Sequence, residues 1–86
     1  MQLDPDQMRD VVARLRRAQG QLGGIIAMIE AGRDCEDIVT QIAAAAKAVD
    51  RAGFTTISRG LRQCLADPEQ SKVDADKLEK MFLSLA

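Results

Sequence analysis

The run CEDIVTQIAAAAKAVDRAGFTTISRGLRQCL, residues 35–65, contains no proline. It reads as one long helix. Asp34 stands where an N-cap belongs, and Asp37 lies three residues on, near the unpaired N–H groups of the first turn. The segment ADPE ends the run after Leu65. Gly53, Thr55, Thr56 and Gly60 are weak helix formers within it, so a bend is an open possibility.

A second long helix precedes it. Asp4 is a candidate N-cap and Pro5 suits the first helical position. Met8, Val11, Val12, Leu15, Leu22, Ile25, Ile26 and Ile29 recur at the three-and-four spacing of one apolar stripe, and Gly32 is a natural stop. A short third helix follows, with Asp74 as its expected cap and Leu78, Met81, Phe82 and Leu85 as its stripe. No strand pattern, internal repeat or low-complexity linker is visible. The expectation is an all-α single domain over residues 1–86, with two long antiparallel helices and a short C-terminal one.

Two helices joined by a tight turn share one interface and leave apolar faces uncovered. Of the 86 residues, 47% are hydrophobic but only 2% aromatic, so that surface is mostly Ala, Leu, Ile and Val. Chains this short often need metals, disulfides or oligomerisation. The sequence therefore predicts a homodimer built as a four-helix bundle, and a homotetramer beyond it. No stretch has the apolar length of a membrane span, and the acidic, polar start MQLDPDQMRD is unlike a signal peptide. The reading is a cytoplasmic protein with reduced thiols and no membrane partner.

The two cysteines, Cys35 and Cys64, stand at opposite ends of the second long helix. At 1.5 Å per residue they lie roughly 43 Å apart, against a disulfide limit of about 7 Å between Cα atoms. They cannot bond within one chain. Their separation leaves only about 20° of rotation, so both occupy one helix face. A second copy running antiparallel brings Cys35 of one chain to Cys64 of the other, twice per symmetric dimer. Alternatively each is simply a small buried hydrophobe. As a metal site the pair is poor in donors: the chain has no histidine, and the position one turn before Cys64 is Gly60. Asp34, Glu36 and Asp37 are hard ligands, ill-matched to Cu(I). Thiol redox chemistry needs only two sulfurs. Cys35 is the better attacking thiol: the helix dipole favours a thiolate at its N-terminus, although the neighbouring acids oppose it.

Net charge is −1, so composition alone announces no nucleic-acid partner. Distribution says more. Residues 11–29 carry Arg14, Arg16 and Arg17 and no acid, and residues 38–66 carry Lys47, Arg51, Arg59 and Arg62 against Asp50. Such residues are often only a solvated face. In an antiparallel hairpin, however, Lys47 and Arg51 fall beside Arg14 and Arg17, and arginine suits phosphate. A helix-turn-helix is excluded by helix length and turn, and GQLG lacks the strands of a KH loop. Gly20 and Gly24 read instead as points of close helix approach. No nucleophile–base pair or phosphate loop points to an enzyme.

The segment RLRRAQGQLGGIIAMIE, with DCEDIVTQIAA and the Cys35–Cys64 spacing, resembles the copper-sensitive operon repressor family of CsoR/RcnR type, over about Met8 to Leu85. The resemblance implies a dimer of helical hairpins assembled into a flat tetramer. It implies binding of double-stranded operator DNA through Arg14 and Arg51, and release when an inducer reaches an inter-subunit cysteine site. Copper members use two cysteines and a histidine; here the histidine position is Gly60, and positions that orient the copper ligands hold Asp34 and Lys80. The two-cysteine pattern without histidine is most similar to the sulfur-responsive, CstR-type branch. That likeness implies persulfide or polysulfide as inducer and di-, tri- or tetrasulfide bridges between subunits. The resulting expectation is a repressor with Cys35 and Cys64 as sensor, Arg14, Arg16, Arg17, Lys47 and Arg51 as DNA contacts, and no resident cofactor. The alternatives are a Cu(I) sensor using the same cysteines and a helical scaffold whose cysteines only pack.

Overall fold

A computed structural model describes residues 2–67, 69 and 71–86, with residues 71–73 described by backbone alone. Asp4 opens the fold: its Oδ1 accepts the Asp6 N–H at 3.0 Å and caps a single 3-10 turn, Pro5–Met8. Pro5 sits first in that turn, where its missing N–H costs nothing. The turn feeds directly into α1, Arg9–Glu30.

Gly32 ends α1 as expected, and the reason is visible in its φ of +73°, the left-handed region. Its N–H donates to the Ile29 carbonyl at 3.1 Å and the Arg33 N–H to the Met28 carbonyl at 3.0 Å. That pair of bonds is the Schellman closure, and it satisfies carbonyls the last turn would leave bare. The chain reverses and α2 begins at once, spanning Cys35–Leu65 without interruption. Asp34 occupies the N-cap position, yet its side chain makes no capping bond; only its carbonyl engages, accepting the Ile38 N–H at 3.1 Å. Thr40, Thr55 and Thr56 are absorbed into the helix because each hydroxyl donates to the carbonyl four residues back at 2.8 Å. After Leu65 the Ala66 N–H is shared among carbonyls of the last turn; of the expected ADPE break, Pro68 lies outside the described residues.

α3 spans Ser71–Leu85, and here the sequence expectation is corrected. Asp74 is not the cap. The helix starts three residues earlier, and Asp74 lies in its first turn, where a carboxylate still complements the positive end of the dipole. α3 folds back antiparallel on the C-terminal half of α2. Phe82 meets Phe54 with ring centroids 5.3 Å apart and planes tilted by 59°. At Gly53 a Cβ would stand 2.8 Å from Leu85 Cδ1, so the absent side chain seats the last turn of α3.

The seam between α1 and α2 is narrow. Val11, Ala18 and Ile25 are buried on α1 at seven-residue intervals, and Ala45 and Ala52 answer on α2 at the same interval. Small residues there let the helices lie close. The expected close approach at Gly20 and Gly24 is not found within the chain, since a Cβ at either would meet nothing within 4 Å. The molecule measures 55 × 26 × 12 Å with a radius of gyration of 16.6 Å. A compact chain of this length would have about 12 Å. The shortest dimension is one helix diameter. The chain is therefore a single layer of helices. Val12, Leu15, Leu22, Ile26 and Ile29 on α1 and Val39, Ile42 and Val49 on α2 each remain at least 43% exposed.

Candidate nucleic-acid interface and sensor cysteines

Arg14, Arg17 and Gln21 follow one another at three- and four-residue spacing on α1. Ala48 and Arg51 lie three apart on α2. Antiparallel packing brings the two sets face to face, and the five residues line one cleft of about 190 Å³. Three guanidinium groups thus share one concave surface. Among the described residues the ion pairs are Arg9–Asp6, Arg33–Asp37 and Arg59–Asp10. None involves the cleft arginines, so no described carboxylate forms an ion pair with them. Gln21 adds a buried Oε1 with no hydrogen-bond partner.

The other two expected contacts stand apart. Arg16 is two residues, about 200°, around the helix from Arg14. It lines a different hollow, with Pro5, Arg9, Val12 and Ala13. Lys47 is exposed but does not line the arginine cleft. Gln21 and Ala48 escaped the sequence reading, which followed charge. The signal was present, because Gln21 is four residues beyond Arg17 and seven beyond Arg14.

Cys35 is the first residue of α2 and is exposed; Cys64 lies in its last turn and is 2% exposed. The uninterrupted helix holds them at opposite ends of the long axis, as the spacing requires. Gly60 is buried one turn before Cys64. It lines a hollow of about 120 Å³ with Leu3, Thr56, Ile57, Leu78 and Met81, an almost wholly apolar set. Among the described residues, no three His, Cys, Asp or Glu side chains come together in a way that could hold a metal ion. Gly60, one turn before Cys64, has no side chain to offer as a donor. Also among the described residues, no helix is long and apolar enough to cross a membrane.

Above these sites the start of the chain is clamped to α2. Arg59 donates to both carboxylate oxygens of Asp10, at 2.9 and 2.6 Å, and to the Gln7 carbonyl. The hydrogen bonds from Arg59 and its charge hold the Asp10 carboxyl below its ordinary 3.8, against a smaller opposing effect of burial. Asp10 in turn raises Arg59. Gln63 Nε2 donates to the Gln2 carbonyl at 2.6 Å.

Comparison with known proteins gives these features a family. Residues 7–84 match the model of the metal-sensitive transcriptional repressors. YrkD of Bacillus subtilis, an uncharacterized protein, is 36% identical over 58 residues, covering 67% of this chain and 92% of YrkD. The copper-sensing transcriptional repressor RicR of Mycobacterium tuberculosis is 38% identical over 60 residues, 69% of this chain and 62% of RicR. The copper-sensing transcriptional repressor CsoR of Mycobacterium ulcerans is 33% identical over 61 residues, 71% of this chain and 52% of CsoR. The match thus spans little more than half the length of these two copper sensors. An all-helical hairpin carrying a three-arginine cleft, matched over nearly its whole length, belongs to the family of metal-sensitive transcriptional repressors.

Proposed function

We propose that this chain is a cytoplasmic, homotetrameric repressor that binds operator DNA through the Arg14–Arg17–Arg51 cleft. Its inducer is reactive sulfur, sensed by Cys35 of one subunit and the partner subunit's Cys64. The observation that carries the reading is the donor set. Two thiols occupy the ends of one unbroken helix, Gly60 stands one turn before the second, and the sequence holds no histidine. Two sulfurs on neighbouring chains suffice for disulfide-type chemistry but make a meagre metal site.

The chemistry balances with polysulfide as the oxidant. The exposed Cys35 thiolate attacks a sulfane sulfur, forming Cys35–S–SH and releasing a polysulfide one sulfur shorter. The partner subunit's Cys64 thiolate then attacks Cys35 Sγ. The new S–S bond forms, the bond to the outer sulfur breaks, and that sulfur leaves as HS⁻. Two thiols lose two electrons, which the departing sulfide carries away. If Cys64 is itself persulfidated first, its outer sulfur attacks instead and a trisulfide results. Either bridge ties the ends of two subunits and biases the assembly against the arrangement in which basic clefts face the duplex.

The test is operator binding by fluorescence anisotropy before and after treatment with sodium tetrasulfide. Release from the reduced wild type, with retention in Cys35→Ala, is expected. Retention in both ends the reading. The copper-sensing relatives favour a second one, Cu(I) as inducer. An anaerobic Cu(I) titration that releases DNA at one ion per cysteine pair would establish it.

A further inference from the structure

The residues before α1 lie along the C-terminal half of α2, and their contacts fall on Arg59, Gly60 and Gln63, in the turns that precede Cys64 in sequence. Gln2 accepts from Gln63, the residue just before the cysteine. Leu3 lines the hollow with Gly60, one turn from the cysteine on the same helix face. Gln7 and Asp10 are gripped by Arg59, which is half-buried by the grip. Leu78 and Met81 of α3 close the hollow from the other side. The two thiols differ in exposure: Cys64 is buried while Cys35 is open.

We propose that residues 2–8 form a strap, held by Arg59 through the Gln7 carbonyl while Asp10 of α1 fixes the guanidinium in place, that gates reagent access to Cys64. The strap holds no helical packing of its own beyond one 3-10 turn, so it can lift while α1, α2 and α3 stay in place. Closed, it directs small electrophiles to Cys35 first. Open, it admits them to Cys64. It thereby sets the order of the two thiol reactions in the sensor proposed above. The gate itself rests on burial and contacts, and it stands or falls independently of what the inducer is.

The experiment is timed alkylation of the reduced full-length protein with iodoacetamide, read at each cysteine by peptide mass spectrometry. Neither DNA nor a sulfur donor is present, so failure here leaves the sulfur-sensing reading intact. A chain beginning at Met8 lacks residues 2–7 of the strap but keeps all of α1. In it Cys64 should react about tenfold faster than in wild type, with the Cys35 rate unchanged. Asp10→Asn should fall between the two. The paired reversal, Asp10→Arg with Arg59→Asp, should return Cys64 towards the wild-type rate. An unchanged Cys64 rate in the Met8 chain overturns the gate. So does acceleration of both cysteines together, which would report general loosening instead of a lifted strap.

Discussion

At the scale of single residues, direction around the helix separates the arginines that sequence alone grouped together. Arg14, Arg17 and Arg51 converge on one cleft, while Arg16 turns to another hollow. Arg51→Ala should therefore weaken operator binding about tenfold at moderate salt and lower the slope of log affinity against log salt by about 0.9, the signature of one lost phosphate contact. Arg16→Ala should change both far less. Anisotropy titrations at several salt concentrations decide it, and equal losses from the two variants would remove the cleft from the DNA surface. The cleft was legible in part. Charge spacing gave Arg14, Arg17 and Arg51, because residues three and four apart share a helix face. Gln21 carries no charge and was passed over, although its spacing is the same.

At the scale of elements, local chemistry wrote most boundaries. Gly32 is required by the left-handed turn between α1 and α2, so Gly32→Ala should lower stability by about 1–2 kcal/mol in urea denaturation. Stability equal to wild type would mean the turn relaxes to another form. The start of α3 departs from the expectation because Asp74 has the chemistry of a cap, whereas the helix begins at Ser71 and takes Asp74 into its first turn. Gly53 was read as a weak point in α2, yet it makes room for Leu85, a contact set by how α3 folds back and invisible in local pattern. The same holds for the Arg59–Asp10 latch, which joins residues 49 apart in sequence. That latch has a pH signature. Asp10 is depressed below 3.8 in the folded chain, so it contributes to strap closure at neutral pH and down to that value. The contribution is lost as pH falls through the lower, folded-state value. Hydrogen exchange of residues 2–8 should be protected at pH 5 and lose that protection in stronger acid, before α1 does. Protection already absent at pH 5 would contradict the latch.

At the scale of the whole molecule, a layer one helix thick leaves apolar residues exposed on its open faces, the feature on which the proposed tetramer rests. The hairpin was legible from two long periodic runs and a turn. What could not be read is how copies stack, because periodicity names a face and not the surface that meets it. Sedimentation velocity should give a species near four times 9.4 kDa at micromolar concentration. Ile26→Glu, a charge on an exposed apolar position of α1, should shift it to smaller species with the helical content kept. A monomeric wild type would contradict the assembly. The sensing claim depends on that assembly, since one chain keeps its thiols at opposite ends of a rigid helix. It is tested most directly by intact mass under denaturing, non-reducing conditions, after reduced protein is treated with a polysulfide donor. The account predicts covalent dimers carrying zero, one or two extra sulfur atoms per bridge, absent in Cys35→Ala and in Cys64→Ala. Monomer alone, with no added sulfur, would contradict it.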